Sequence, residues 1–403
     1  MRPKISISFE NGVIGAVTPL DTGVFGFLAS AVAVVDGFQL GKAYQIKSMK
    51  DVANLKIVNS IDNHKLYKAL SEFYAEAGEG SEVWIYGFDK SKKVSDWFTP
   101  VDGITPAEGL LNAAKGKLRG LFTIYDPTAA VTVTNGMDAD VILAAAKAQT
   151  LFESYSNLKY APFFTILEGY AFNGEKVDLP DLNASYYNSV GILIGDTEKA
   201  SAIPASKGAG AAIGVFAGRL AKFAARENPG KVKNGPLATT TLFIKEEPVE
   251  NYDTEALYDK GFITFATHQS RSGYYVMDAP LACSTDDDYH YLTHRRVINE
   301  AFRFSYDALL DFLLDEVPAN PNGSIVAIYA KTMESAVERK IANSMGSDLA
   351  TNPEDSRDTG VECFVDPSQN IVVSSRMDVA VKIRPFGYNR WINVNLGFEL
   401  TNN

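Results

Sequence analysis

The chain has 403 residues, of which 46% are hydrophobic and 22% are charged, and its formal net charge is −11. The length favours two domains and the composition is typical of a soluble globular protein, while the negative charge argues against nucleic acid or an anionic membrane as the main partner. The two cysteines exclude a disulfide scaffold and indicate a reducing compartment.

The first predicted element is a short strand at the N-terminus, where Ile5, Ile7 and Phe9 alternate with serines. Residues 11–30 are apolar and rich in glycine, and they show no clear period. Because the sequence has neither the apolar region of a signal peptide nor a run of about eighteen apolar residues, we predict no membrane insertion.

Between residue 63 and residue 246, predicted helices alternate with apolar strands. A capping-box pattern of Thr105 and Glu108 around Pro106 predicts the start of one of these helices. Continuous apolar strands separated by helices predict an α/β layer with a largely covered sheet. The predicted strands are 82–88, 120–126, 162–169, 189–196 and 239–246, and the predicted helices are 63–77, 106–118, 138–155 and 206–226.

The alternation of predicted helices and apolar strands ends near residue 246, where the composition of the sequence changes. Two strands around a turn are predicted within 261–279, and Ser284 to Asp288 are predicted to cap a long helix. A second helix is predicted at 324–345. The chain ends on a predicted strand whose apolar residues all lie on one face: Ile392, Val394, Leu396, Phe398 and Leu400.

The glycine-rich stretch from Ser206 to Ala221 is the strongest candidate for a phosphate-binding loop. Its spacing is G-x-G-x-x-x-G, which differs from the dinucleotide fingerprint, and Lys207 precedes the glycines instead of following them as in a Walker A loop. Gly210, Gly214 and Gly218 recur every four residues, which favours a helix face that packs closely. An α/β enzyme with a cofactor site at 206–214 is the alternative hypothesis.

Other chemical motifs are incomplete. His290 and His294 have a metal-capable spacing, but Tyr291 stands where a zincin motif requires glutamate, so we interpret both as helix-surface histidines. The acidic run 286–288 is explained by a helix N-terminus. The sequence contains no G-x-S-x-G elbow and no C-x-x-C pair. We therefore predict no catalytic, cofactor-binding or metal-binding residues, no cofactor and no enzyme activity.

Several segments resemble the contractile tail sheath family in the order of that family. They read GKAYQIKSMKDVANLKI, GAAIGVFAGRLAKFAARENP, ALYDKGFITFATHQSRSGYYVMDAPLACSTDDDYHYLTHRRVINEAF and AVKIRPFGYNRWINVNLGFEL. The resemblance implies an α/β fold in which an α+β inner assembly domain, built from both chain ends, carries an inserted outer α/β domain. The implied parts are an N-terminal arm at 1–20, an outer domain at 21–246, an inner domain at 247–385 and a C-terminal strand arm at 386–403.

The two terminal strands are expected to serve as arms between subunits. A lone alternating strand leaves an apolar row and unpaired backbone groups, which pairing with a neighbour's sheet satisfies by β-augmentation. The alternative is that both strands pair within their own subunit.

The resemblance also implies a function and partners. The chain is expected to be a sheath subunit that polymerises with copies of itself around an inner tail tube protein, contacts baseplate and terminator proteins, and contracts without nucleotide hydrolysis. It would belong to a virion tail or to a bacterial injection apparatus in the cytoplasm. A tube or shell subunit is a further alternative. Lys331, Arg339 and Lys340 are the candidates for contact with the tube.

Overall fold

The computed structural model describes residues 21–201 and 210–398 of the chain. The chain divides into two compact units, Met1–Leu310 and Asp311–Asn403, here called unit 1 and unit 2. This division lies elsewhere than the predicted boundary at residue 246, and the predicted plan of inner domain, outer domain and arms stays a prediction.

Helices occur in both units. In chain order, the α-helices of the described residues are α1 (Met49–Asn54), α2 (His64–Ala77), α3 (Val94–Trp97), α4 (Glu108–Ala113), α5 (Asp140–Lys159), α6 (Ile213–Lys222), α7 (Glu255–Asp259), α8 (Leu292–Leu310), α9 (Ala327–Met345) and α10 (Ile371–Ser374). In the described residues, none is long and apolar enough to cross a membrane.

Strands also occur in both units. In chain order they are β1 (Phe25–Ala31), β2 (Ala43–Ile46), β3 (Val83–Asp89), β4 (Gly120–Ile124), β5 (Val133–Thr134), β6 (Met137–Asp138), β7 (Phe164–Glu168), β8 (Tyr186–Tyr187), β9 (Val190–Leu193), β10 (Phe243–Ile244), β11 (Glu247–Pro248), β12 (Phe265–His268), β13 (Arg271–Val276), β14 (Ala282–Cys283), β15 (Val361–Val365) and β16 (Val379–Ile383).

Unit 1 is built on a six-stranded sheet of order β2-β3-β1-β4-β7-β9. The strands from β3 to β9 in this order are parallel, and β2 pairs with β3 in the antiparallel sense at one edge. Every residue of β1, β4, β7 and β9 is buried, as expected for a parallel sheet covered by helices on both faces. The predicted α/β fold class with a covered sheet is confirmed.

Most elements predicted for this layer are confirmed. The predicted ranges 63–77, 82–88, 120–126, 138–155, 162–169 and 189–196 correspond to α2, β3, β4, α5, β7 and β9. The predicted strand pair in 261–279 is the β12–β13 hairpin, and the helix predicted at 324–345 is α9.

The prediction for the helix at 106–118 is wrong in its cap and its length. Ala107 occupies the N-cap position of α4 without a side-chain cap bond, and Thr105 contributes only its carbonyl oxygen, which accepts from the Glu108 N–H at 2.9 Å. The helix ends at Ala113 because Lys115 and Gly116 both have positive φ angles, 49° and 77°, which stop a right-handed helix.

The strand predicted at 239–246 is also wrong. Only β10 is extended there, and it pairs with β11 and lies outside the six-stranded sheet. The Thr239 hydroxyl donates to the Thr241 carbonyl at 2.9 Å, which folds the start of the segment into a turn. Lys245, with a φ of 59°, then reverses the chain.

Two further helix bounds differ from the prediction. The long helix begins at Leu292, because residues 284–290 form turns in which the Asp287 N–H donates to Ser284 and the His290 N–H donates to Asp287. The helix predicted at 206–226 is α6, and residues 202–209 lie outside the described residues.

Unit 2 is built on α9, which packs against the antiparallel β15–β16 pair, and α10 lies between the two strands in the chain. The buried face of α9 meets the buried half of β15. The buried apolar residues of the unit are Ile325, Ala330, Met333, Val337, Ile341, Met345, Leu349, Cys363 and Val365. Residues 384–398 form neither helix nor strand.

Candidate assembly surfaces

The glycine-rich stretch is a packing surface where the structure describes it. A Cβ atom at Gly214 would overlap the Ala69 carbonyl oxygen of α2, and one at Gly218 would lie 2.8 Å from the Phe73 carbonyl oxygen. The interpretation of this spacing as a close-packing helix face is confirmed for Gly214 and Gly218. Gly210 lies before the helix, and Ser206, Lys207 and Gly208 lie outside the described residues.

Buried ion pairs join α2 to the carboxyl ends of the parallel strands. The Lys65 ammonium lies 3.3 Å from the Glu168 carboxylate at the end of β7 and donates to the Tyr125 carbonyl oxygen at 2.7 Å. Burial raises the pKa of Glu168, and Lys65 opposes that rise. These charges find their partners inside the chain, so the geometry supports a structural role.

A second group of charges lies beside this pair. The Lys68 ammonium contacts Asp196 at 2.5 Å and Glu72 at 3.1 Å, and the Thr197 hydroxyl donates to Glu72. Burial raises the pKa of Glu72 because an ionised carboxylate loses hydration there. In the described residues, no group of three or more His, Cys, Asp or Glu side chains is arranged to hold a metal ion.

The histidines and cysteines have structural positions. His290 is buried before the start of α8, and its Nδ1 atom lies 2.9 Å from the Cys283 carbonyl oxygen, so the interpretation of His290 as a helix-surface residue is wrong. Asp286 to Asp288 lie in the preceding turns and do not begin a helix. Burial raises the pKa of the Cys283 thiol to about 12 and that of Cys363 to about 11, which disfavours the reactive thiolate.

The C-terminal segment exposes its apolar row. Ile392 and Val394 are 75% and 76% exposed, and Leu396 and Phe398 are 96% and 100% exposed. This row is in contact with water in the single chain and belongs to no strand. Leu400 and the predicted N-terminal arm residues Ile5, Ile7 and Phe9 lie outside the described residues.

The two edges of the β15–β16 hairpin differ. The backbone N–H groups of Cys363 and Val365 donate to the side chains of Glu338 and Glu334, each at 2.9 Å, so α9 caps these two outward donors of β15. In an antiparallel pair, residues that do not bond across the ladder direct their N–H groups outward on both strands. The equivalent donors of β16 belong to the residues opposite, which are Val379, Val381 and Ile383.

These two glutamates are residues that the sequence analysis missed. Glu334 and Glu338 are four residues apart on one side of α9, and this spacing is the only signal that the sequence carries. Glu334 also holds Lys331 at 2.5 Å. The hydrogen bonds from Lys331 and from the Val365 N–H lower the pKa of Glu334 despite the opposing effect of its burial.

The three cationic candidates of α9 are all exposed. At about 100° per residue, Met333, Val337 and Ile341 define the buried side of the helix, and Arg339 lies near the middle of the opposite side. Lys331 and Lys340 flank that exposed face, and Lys331 is paired with Glu334. The structure thus places the three cations on one broad face.

Comparison with known families covers nearly the whole chain. The family described as DUF2586, N-terminal domain, matches residues 2–280, and its counterpart, DUF2586, C-terminal domain, matches residues 288–403. The chain belongs to the DUF2586 family. No curated protein sequence matches this DUF2586 chain at a significant level.

Solved structures share the fold of this DUF2586 protein. A chain of the anti-feeding prophage baseplate has a TM-score of 0.62 at 15% identity over 99% of each chain. A chain of the contracted helical sheath of the same particle has a TM-score of 0.58 at 16% identity, covering 98% of each chain. The contracted sheath complex of an extracellular contractile injection system, PVC, gives 0.58 at 16% identity, covering 98% of this chain and 97% of the other. The resemblance to contractile tail sheath proteins is confirmed at the level of the fold.

Proposed function

We propose that this protein is the structural subunit of a contractile tail sheath. It polymerises around an inner tube and contracts to drive the tube through a target envelope. The fold shared with chains of contractile assemblies supports this proposal. The observation that carries it is the exposed apolar row at residues 392–398, a segment predicted to be a strand that pairs with no strand among the described residues.

The energetics favour pairing of this row with another subunit. Burying an isoleucine, valine, leucine or phenylalanine side chain contributes about 1.5–3 kcal/mol. Backbone pairing adds about 0.5–1.5 kcal/mol for each hydrogen bond. These gains oppose the entropy lost when the segment becomes ordered. A donated arm therefore supplies a link of moderate strength, and the many links of a lattice act together.

The acceptor that we propose is the outer edge of β16 in a neighbouring subunit. Glu334 and Glu338 already bind the outward N–H groups of Val365 and Cys363 on β15, whereas no strand of the described residues other than β15 pairs with β16. The side chains of Val379, Val381 and Ile383 are only partly buried, so an arm whose apolar row lies on that face would extend the covered surface. This is recognition by β-augmentation.

The exposed cationic face of α9 is the surface that we propose for the tube. Lys331, Arg339 and Lys340 would meet acidic residues of the tube protein, and charge complementarity would set register more than affinity. Baseplate and terminator proteins are the partners proposed for the two ends of the polymer. Contraction would proceed by repacking of a bistable lattice, without nucleotide hydrolysis.

Two settings are consistent with this function. The assembly is either the tail of a virion or a contractile injection apparatus built in a bacterial cytoplasm. In both settings the protein acts by assembly and not as an enzyme.

Deletion of residues 390–403 tests the proposal. We expect a soluble, folded chain that no longer builds striated hollow cylinders in negative-stain microscopy, because the donated strand is gone. A matched control replaces Asn393 and Asn395, on the other face of the segment, with serine and should still assemble. Long cylinders from the truncated chain would contradict donation of the strand, and unfolding in circular dichroism would favour pairing within the subunit.

A further inference from the structure

Helix α8 crosses the amino ends of three parallel strands of unit 1. The Arg296 guanidinium donates at 3.2 Å to the carbonyl of Thr22, which precedes β1. The Arg303 guanidinium donates to the carbonyls of Leu118, which precedes β4, and Pro162, which precedes β7. Since β4 lies between β1 and β7 in the sheet, the helix runs along the amino edge from β1 toward β7.

The C-terminal half of α8 leaves an apolar stripe exposed. Phe302 and Leu310 are exposed, and Tyr306 and Leu309 between them are partly buried. With 3.6 residues in each turn, these four side chains lie within about 100° of the helix circumference. A contiguous apolar surface of this kind marks an interaction site.

The stripe continues onto the end of α5. The ring of Tyr160, the residue that follows α5, stacks on that of Tyr306 with centroids 4.2 Å apart and an angle of 7° between the planes. Leu158 and Tyr160 are both exposed. The surface is here called the α8 stripe and comprises Leu158, Tyr160, Phe302, Tyr306, Leu309 and Leu310.

The segment that precedes β1 is attached beside this stripe. Asp21 is the first described residue, and Thr22 lies against Arg296 of α8. Residues 13–20, which read VIGAVTPL, lie outside the described residues. Four of them are valine, isoleucine or leucine, and none is charged. An apolar segment is thus joined to the chain next to the helix that carries an exposed apolar surface.

The lengths of the segment and the stripe match. Measured along α8 from Arg296, Tyr306 lies about 15 Å away and Leu310 about 21 Å away, at about 1.5 Å per residue. An extended chain covers about 16 Å from Thr22 back to Val17 and about 30 Å back to Val13, at about 3.3 Å per residue. Residues 13–20 are therefore long enough to follow the stripe to its far end.

We propose that residues 13–20 dock along the α8 stripe of their own chain. The contact removes apolar side chains of both partners from water, and the gain grows with the apolar area that is covered. The short tether holds the segment at an effective concentration of about a millimolar, so that even a weak contact is largely occupied.

Docking would anchor the root of the N-terminal arm. The part left free would be residues 1–12, which carry the predicted strand of Ile5, Ile7 and Phe9. A segment that is fixed at its root has less conformational entropy to lose when its other end binds a partner. The contact lies within one chain, so it goes beyond the proposed function and does not depend on assembly.

Cross-linking within the full chain tests this inference. The variant Val13→Cys with Leu310→Cys is treated with a short bismaleimide at a dilution at which sedimentation velocity shows single chains, and mass spectrometry measures the rate of cross-linking. The native cysteines should not react, because burial raises the pKa of both thiols. We expect a cross-link within one chain that forms about tenfold faster than in a control with Val13→Cys and Val35→Cys.

The control site lies at the other end of the sheet. Val35 is exposed and apolar like Leu310, but it follows the carboxyl end of β1. Equal rates of cross-linking at the two sites would overturn the inference, as would a cross-link that forms only between two chains.

A substitution in the stripe provides a second measurement. Phe302→Ser, added to the Val13→Cys/Leu310→Cys chain, should slow the cross-link several-fold, because part of the apolar surface is lost. Val58→Ser, at an exposed apolar residue of the loop after α1, is the matched control and should leave the rate unchanged. An unchanged rate in the Phe302→Ser chain would overturn docking on the α8 stripe.

These rates are separate from the test of the proposed function. All of them are measured on single chains, whereas the proposed function is tested by the formation of cylinders. A chain that shows the cross-link and builds no cylinders would support docking and contradict the proposed function. A chain that builds cylinders without the cross-link would do the reverse.

Discussion

At the scale of single residues, the absence of a side chain at Gly214 fixes how closely α6 approaches α2. The Ala69 carbonyl occupies the space that a Cβ atom would need, so the two helices touch through their backbones. Glycine costs about 1 kcal/mol in helix propensity, and this close approach explains why it is tolerated inside a helix.

We expect Gly214→Ala to destabilise unit 1 by about 1–3 kcal/mol, because the added methyl group forces α6 away from α2. Chemical denaturation followed by circular dichroism measures the change. Gly387→Ala is the matched control, since no atom lies within 4 Å of its Cβ position, and its free energy of unfolding should be unchanged. Equal stability of the two variants would contradict the packing role.

The buried carboxylate of Glu72 makes stability depend on pH. Its pKa is raised in the folded chain above the ordinary value of 4.5, so its contribution is greatest below that value and is lost as pH rises through the raised pKa. Glu72→Gln should remove this loss, while the part due to Glu168, whose pKa is also raised, remains. Denaturation midpoints of the variant and of the unchanged chain, measured from pH 4.5 upward, check this prediction. The same dependence of the midpoint on pH in both chains would contradict it.

At the scale of elements, the two edges of the β15–β16 hairpin differ because side chains of α9 bond to the backbone of β15. Glu334 and Glu338 cap β15, which protects that edge from pairing with other chains, and no strand of the described residues pairs with the outer edge of β16. The same helix thus supports the hairpin and selects its open edge.

We expect the double substitution Glu334→Ala and Glu338→Ala to destabilise unit 2 by about 1–3 kcal/mol for each donor left unsatisfied. Hydrogen exchange at Cys363 and Val365 should accelerate, because their N–H groups lose their acceptors. Glu362→Ala, on the exposed face of β15, is the control and should leave that exchange unchanged. Slow exchange in the double variant would show that the glutamates do not cap the strand.

The open edge gives a second prediction at this scale. Val381→Pro removes an outward N–H of β16 and should reduce cylinder formation, because an incoming arm loses a hydrogen-bond donor. The ladder bonds with β15 run through the neighbouring residues, so the melting temperature of the unassembled chain should change little. Normal cylinders from this variant would point to a different acceptor edge.

The elements that sequence could predict are those with a visible period or clear borders. Helix α2 shows an apolar face and ends at Gly78, and β3, β4, β7 and β9 are apolar runs bounded by polar residues or glycine. The central strand β1 was missed, because a strand buried on both faces has no alternation and its sequence, FGFLASA, contains the small residues that a crowded sheet centre requires. Gly26, for instance, faces Leu110, Leu118 and Leu121.

The assembly surfaces were less predictable for a different reason. Alternation along residues 391–400 predicts a strand, but pairing depends on atoms that are distant in sequence. The capping of β15 by Glu334 and Glu338 joins residues 25 and 31 positions apart, and no local pattern encodes it. Lys331, Arg339 and Lys340 are exposed on α9, and their contact with a tube stays a prediction.

At the scale of the whole molecule, charge is distributed unevenly on a chain of net charge −11. The cationic face of α9 stands out from an acidic background. Unit 2 therefore presents a surface suited to an acidic partner.

Replacing Lys331, Arg339 and Lys340 with glutamate should weaken assembly on purified tubes, and more strongly at low salt, where exposed charges are less screened. Co-sedimentation with tubes measures the effect. A chain with Lys50→Glu, Lys92→Glu and Lys117→Glu, which changes the net charge by the same amount at exposed sites of unit 1, is the control. Unchanged co-sedimentation of the triple variant at low salt would remove the α9 face as the tube contact.

The exposed C-terminal segment also provides an optical signal. The chain has three tryptophans, of which Trp97 is buried in unit 1, Trp84 is partly buried, and Trp391, beside the apolar row, is 79% exposed. An indole in water emits at longer wavelength than one that is covered, so burial of Trp391 under a neighbouring subunit would shift the emission to the blue. The wavelength of maximal tryptophan emission would then differ between free and incorporated subunits, and sheath growth could be followed in real time without a label.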